Sequence, residues 1–148
     1  MSELKTRIND AVKAAMRAGE KTRLGTLRMI SAAVKQKEVD ERRELSDADL
    51  LAILDKMVKQ RRESLEQYEA AGREELAAIE RAEIDIIAEF LPQPLSEADI
   101  DALIDQAISA TGAASVRDMG QVMAQVKPQA QGRADMGAVS ARVKTRLS

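Results

Sequence analysis

The sequence lacks histidine and cysteine altogether, and it has very few aromatic residues. Of its 148 residues, one is tyrosine, one is phenylalanine and none is tryptophan. Without cysteine and histidine the chain has no disulfide, no zinc site built on those ligands, no thiolate nucleophile and no imidazole base. No apolar run reaches the ~18 residues of a membrane span, and the N-terminus has no apolar signal-peptide core. We therefore expect a cytoplasmic protein with no cofactor, no bound metal and no membrane partner.

Proline is also scarce, and this favours helices. Three prolines leave long uninterrupted windows, and 45% of the residues are hydrophobic while 32% are charged. The core must be built from Leu, Ile, Val, Met and Ala, which suits helix-on-helix packing. These features predict an all-α protein.

Two of the prolines divide the chain. Pro92 and Pro94 lie one residue apart, and neither can sit inside a continuing helix because each lacks a backbone N–H and restricts its predecessor. Ser96 then offers an N-cap for a new helix. We predict an N-terminal four-helix domain at residues 1–92 and a small three-helix C-terminal domain at residues 95–148.

Hydrophobic spacing, serine caps and glycine stops predict seven helices. They span about residues 3–18, 22–39, 46–71, 73–91, 97–111, 115–127 and 136–147. Leu4, Ile8, Val12 and Met16 are expected to face the core from the first helix, and Ile79 from the fourth. Gly25 is expected to mark a close approach between helices, since glycine costs up to ~1 kcal/mol there relative to alanine.

Two charged positions interrupt the apolar stripes of the third and fourth helices. Arg61 or Arg62 interrupts the first stripe, and Glu83 interrupts the second. If Gly72 is the tip of an antiparallel hairpin, Arg61 and Glu83 each lie eleven residues from it. The two residues then lie at the same height along the paired helix axes. We predict that Arg61 or Arg62 pairs with Glu83. Such a core polar pair typically sets helix register and is not expected to be catalytic.

The chain carries a net charge of −2, but its last thirty residues are basic. From Met119 onward there are five basic side chains and one acidic one. An anion could accept the unsatisfied N–H groups that begin the last helix, among the residues Lys127, Gln131, Gly132, Arg133, Arg142 and Arg146. No aromatic residue is near for base stacking, so contacts would be made to phosphates. The alternative is a solvated helix end whose cations complement the helix dipole.

No catalytic motif accompanies this region. The stretch from Gly132 to Gly137 has neither the dinucleotide-binding nor the Walker spacing, and no strand precedes it. The sequence contains no H-E-x-x-H or G-x-S-x-G. We therefore expect that the chain is not an enzyme.

Five stretches, taken together and in order, resemble the GatB/YqeY family. They are Thr26–Ile30, Lys59–Ser64, Phe90–Glu97, Asp118–Met123 and Gly132–Asp135. One departure is Met136, where many members have glycine directly after the Ala-Asp pair.

The resemblance implies a helical N-terminal domain and a C-terminal domain similar to the tail of the B subunit of tRNA-dependent amidotransferase. In that enzyme, which uses glutamine and ATP to amidate Glu-tRNA(Gln) or Asp-tRNA(Asn), the tail contacts tRNA and the chemistry lies elsewhere. A carbon–nitrogen ligase label, with glutamine as amido-N donor, would be inherited from the family. The resemblance implies tRNA and a tRNA-charging or amidotransferase-related protein as partners.

Three hypotheses follow from the sequence. The first is a non-catalytic, tRNA-associated module that uses its basic C-terminal loop and helix. The second is a helical protein–protein adaptor without RNA binding. The third is a true amidotransferase, which the missing nucleotide and amidase signatures disfavour.

Overall fold

The computed structural model describes residues 2–148, and all regular structure in that range is helical. None of its helices is long and apolar enough to cross a membrane. The α-helices are α1 (Glu3–Ala18), α2 (Lys21–Glu41), α3 (Asp47–Ala70), α4 (Glu74–Ala88), α5 (Glu97–Thr111), α6 (Met119–Ala130) and α7 (Met136–Leu147). A 3-10 helix, Val116–Asp118, leads into α6. The all-α prediction is confirmed for the described residues.

Local sequence signals determine most of the helix ends. At the starts of α3 and α5, the hydroxyls of Ser46 and Ser96 accept hydrogen bonds from the backbone N–H groups of Asp49 and Asp99. The side chain of each aspartate accepts a hydrogen bond from the backbone N–H of the serine in return. This is the reciprocal capping box. Gly19 and Gly112 end α1 and α5 in the left-handed conformation, which glycine adopts without steric cost.

The helices form two compact units, each with its own apolar core. The N-terminal unit, which ends at Leu91, contains α1 to α4, and the C-terminal unit, Pro92–Ser148, contains α5 to α7. The first core includes Leu27, Ile30, Leu50, Leu54 and Ile87. The second includes Ile104, Val122, Val126, Val139 and Val143. That each unit is an independent domain stays a prediction.

Two residues predicted to face the core are exposed. Met16 is 54% exposed, whereas its neighbour Ala15 is 1% exposed. Successive residues of an α-helix point in directions 100° apart, so residues four apart differ by 40°. Over the twelve residues from Leu4 to Met16 this difference adds up to 120°. Ala15, eleven residues after Leu4, points within 20° of the direction of Leu4. Ile79 on α4 is likewise 52% exposed, and Ala77 is buried in its place.

Three helix ends also differ from the prediction. The α2 helix continues to Glu41 into the predicted loop, and α4 ends at Ala88, before Leu91. Pro128 lies inside α6, which continues to Ala130. Proline removes only its own backbone donor, and the next turn is closed because Gln131 N donates to Lys127 O at 2.9 Å.

Two carboxylates of the N-terminal unit are tied to cations and backbone donors. Glu38 accepts from Lys5 Nζ at 2.9 Å and from Leu45 N at 3.1 Å. The ion pair with Lys5, followed by the bond from Leu45, lowers the pKa of Glu38. Arg43 is the main cause of the lowered pKa of Asp49, which also accepts from the Ser46 N–H.

These pKa shifts fix the expected pH dependence of stability. A carboxyl whose pKa is lowered by folding contributes stability above its ordinary pKa, and the contribution is lost as the pH falls through the lowered value. With no histidine or cysteine, no side chain has an ordinary pKa between about 5 and 8. Urea denaturation should therefore give a level free energy of unfolding from about pH 6 to pH 8 and a decline below about pH 4.5. Asp49→Asn should make that acid decline shallower, and an equally steep decline in this variant would contradict the assignment.

Candidate functional site

The loop between α6 and α7 is held to the segment that precedes α5. Gly132 is buried and turns the chain at φ +78°. Arg133 donates from Nε to Gln93 O at 3.0 Å, and its own carbonyl accepts from Leu95 N at 2.8 Å. Arg133, predicted to contact an anion, therefore fastens two segments of the C-terminal unit together.

Two arginines of α7 pair with two aspartates of α5. Arg142 donates from Nη2 to both carboxylate oxygens of Asp101, at 2.7 and 2.8 Å, and from Nε at 3.1 Å. Arg146 forms an ion pair with Asp105. The hydrogen bonds to Asp101 raise the pKa of Arg142 above its ordinary value. We call Asp101, Asp105, Arg142 and Arg146 the Asp–Arg ladder.

The start of α7 is already capped. Asp135 precedes the helix, and its Oδ1 accepts from Gly137 N at 3.1 Å. The backbone N–H groups at the start of α7 were predicted to be free to bind an external anion. For the N–H of Gly137 this prediction is wrong, because Asp135 already accepts its hydrogen bond. The cap follows the usual preference for aspartate at this position.

Spatial pairing thus removes much of the basic character predicted for the C-terminal end. From Pro92 to Ser148 there are six basic and six acidic side chains, and the ladder sets two of each against one another. Lys127 is exposed at the end of α6, and Gln131 follows it as the C-cap residue. The six predicted site residues all lie in this unit, but the structure gives them separate roles.

The contact predicted for the α3–α4 hairpin is present between Arg61 and Glu83. Arg61 Nε lies 2.8 Å from Glu83 Oε2, and the two side chains are 15% and 18% exposed. Arg61 also donates to Met57 O at 3.1 Å and contacts Met29 Sδ at 3.5 Å. Arg62, the alternative, is exposed. The arginine thus joins α2, α3 and α4.

A groove between α2 and α4, which the sequence did not predict, lies beside this pair. We call it the α2–α4 groove; its volume is about 460 Å³ and its lining residues are Lys21, Thr22, Gly25, Thr26, Met29, Ala78, Ile79, Ala82 and Glu83. A Cβ built on Gly25 meets nothing within 4 Å. The expected close approach of another helix within the molecule is therefore wrong, because Gly25 faces open space.

The described residues contain no group of three or more histidine, cysteine, aspartate or glutamate side chains that could hold a metal ion.

A family model described as Yqey-like protein matches residues 5–147. The chain is 28% identical over 130 residues to "Altered inheritance of mitochondria protein 41, mitochondrial" of Pyrenophora tritici-repentis, covering 86% of this chain and 71% of that relative.

Yeast proteins of the same name are also similar. The one from Lachancea thermotolerans is 34% identical over 66% of this chain, and one from Saccharomyces cerevisiae is 31% identical over 67%. The chain spans about half the length of these yeast relatives, 54% and 55%. The relatives' names carry the word mitochondrial, whereas the location predicted for this chain is cytoplasmic; that location stays a prediction.

Proposed function

Because the chain belongs to the YqeY-like family, we propose that it is a non-catalytic, tRNA-associated module whose C-terminal unit contacts the phosphate backbone. The proposal is supported by the resemblance of this part of the chain to the amidotransferase B-subunit tail. The absence of histidine and cysteine supports a role in binding rather than catalysis. The carbon–nitrogen ligase chemistry of the related enzyme is not proposed for this chain.

The observation that carries the proposal is the geometry of Arg142. A guanidinium donates in the same bidentate way to a carboxylate and to a phosphate. Asp101 occupies that position here: Arg142 Nε donates to Oδ1 at 3.1 Å, and Nη2 donates to Oδ2 at 2.8 Å. Arg146, one turn further along α7, forms an ion pair with Asp105. We infer that phosphates replace these carboxylates when RNA binds.

The experiment is fluorescence anisotropy of labelled tRNA with the purified protein at low and at physiological salt. Arg142→Gln/Arg146→Gln should weaken binding, and the wild-type affinity should fall as salt rises because phosphate contacts release counterions. The matched control is Lys56→Gln/Lys59→Gln, which removes the same charge from exposed positions on α3. Equal weakening by both variants would show that general charge alone is responsible. Absence of binding at low salt by a folded protein would contradict the proposal and favour the adaptor hypothesis.

We further propose that the two units are separate domains, at residues 1–92 and 95–148, and that the second is the tail-like domain. The support is that the two buried clusters share no residue. The fragment of residues 92–148 should remain helical and unfold cooperatively by circular dichroism. A fragment without helical structure would contradict the assignment.

A further inference from the structure

The α2–α4 groove has apolar residues exposed beside small ones. Met29 on α2 and Ile79 on α4 are 39% and 52% exposed. Gly25, Ala78 and Ala82 also line the groove, and a Cβ built on Gly25 would meet open space. Small residues of this kind allow another helix to approach closely.

The rims of the groove carry opposite charges. Lys21 and Arg28 are exposed on the α2 side, and Glu75 and Asp85 are exposed on the α4 side. At 100° per residue, Lys21 and Arg28 lie 20° apart on the same side of α2, and Lys21 lines the groove. Asp85 takes an outer position on α4, whereas Glu75 lies on the groove face, between the directions of Ala82 and Ile79. The α2 side of the groove is therefore positive, and the α4 side is negative at Glu75 and Asp85; the exposed Arg81 of α4 is paired with Glu69 and Glu74.

Side-chain contacts fix the register of the two helices. Arg23 of α2 pairs with Glu89 at the end of α4. Met29 and Glu83 meet at Arg61. The helices therefore run antiparallel, and Asp85 lies at a level between Lys21 and Arg28.

We propose that this groove is the interface of a symmetric dimer, and that its occupant is the same groove of a second copy of the chain. In a two-fold contact each patch meets itself, so a surface with one positive and one negative edge can be its own complement. When the two-fold axis runs along the groove, α2 of each copy lies over α4 of the other. Arg28 of each copy then lies close to the level of the partner's Asp85, so a cation meets a carboxylate on both sides of the axis.

The other in-plane two-fold axis is disfavoured. An axis that crosses the groove would place α2 over α2 and α4 over α4. Like charges would then face each other along both edges, which costs free energy and suppresses the arrangement. Charge therefore selects a single orientation, in which Met29 packs against the partner's Ile79 and the small residues permit close contact.

The test is analytical ultracentrifugation of the full chain over a range of concentrations. The wild type should show a monomer–dimer equilibrium that weakens as salt rises. Lys21→Glu/Arg28→Glu gives two acidic edges, and Glu75→Lys/Asp85→Lys gives two basic edges. Each should weaken self-association by about tenfold or more.

Mixing the two charge-reversed variants should restore dimer formation. In the mixed dimer the acidic α2 and α4 of one variant face the basic α4 and α2 of the other. Lys56→Glu/Lys59→Glu is the control, with the same charge change on exposed positions of α3, and it should dimerise like the wild type. Gly25→Gln, which fills the groove without changing charge, should also weaken the dimer. Circular dichroism confirms that each variant is folded.

A wild type that remains monomeric up to about 1 mM would overturn the proposal. So would a dimer that is insensitive to both charge reversals, or a mixture of the reversed chains that fails to associate. None of these outcomes depends on tRNA binding, which the experiment does not measure.

Discussion

Replacing Glu83 with leucine should lower the free energy of unfolding by about 3 kcal/mol. The substitution leaves the Arg61 guanidinium, which is 15% exposed, without its carboxylate at the junction of three helices. An isolated charge in such a site is poorly solvated, and its remaining contacts, Met57 O and Met29 Sδ, carry no compensating charge. Urea denaturation monitored by circular dichroism measures the loss.

The double variant Arg61→Met/Glu83→Leu should recover most of that stability, because an apolar pair of similar volume removes the unpaired charge. Arg81→Met is the matched control on the same helix. Its partners, Glu69 and Glu74, are exposed and its loss should have little effect. If Glu83→Leu costs no more than Arg81→Met, the pair does not stabilise the hairpin.

Replacing both aspartates of the Asp–Arg ladder with asparagine should raise the affinity for tRNA by about tenfold. Asp101→Asn/Asp105→Asn removes the carboxylates that compete with phosphates for Arg142 and Arg146. Two additional phosphate contacts each contribute to the salt-dependent binding free energy. Anisotropy titration with labelled tRNA at one fixed salt concentration measures the gain.

The gain must come from the ladder and not from net charge alone. Glu63→Gln/Glu66→Gln adds the same charge at exposed positions on α3, and its effect should be much smaller. Adding Arg142→Gln/Arg146→Gln to the aspartate variant should abolish the gain. A gain that survives this addition would place the phosphate contacts elsewhere.

Local sequence rules were sufficient for most helix ends. Ser46 with Asp49, and Ser96 with Asp99, are capping boxes in the sequence and in the structure. These interactions span three residues, so nothing distant in the chain competes with them. The Arg61–Glu83 contact was also predictable, because a short turn at Gly72 fixes the levels of both residues.

Contacts between distant helices were not predictable in the same way. The sequence shows two aspartates four apart in α5 and two arginines four apart in α7, but about forty residues separate them. Their pairing depends on how three helices pack, which local spacing does not determine. Counting charge along the chain therefore overstated the positive charge available at the C-terminal end.

The exposed face of α4 illustrates a second limit. Ile79 is apolar and fits a helical stripe, yet it lies outside the core because Ala77 takes the inward position. Hydrophobicity predicts that a residue prefers burial, but it does not say whether the burying surface belongs to the same chain. Gly25 presents the same ambiguity, since the space beside it is open.

The most direct test of a tRNA-contacting ladder is the slope of log affinity against log salt concentration. It should be compared between the wild type and Arg142→Gln/Arg146→Gln with the same labelled tRNA. We predict measurable binding by the wild type and a slope that becomes shallower by about two in the variant, since each lost phosphate contact removes about one. An unchanged slope, or no binding by the wild type at low salt, would contradict the account.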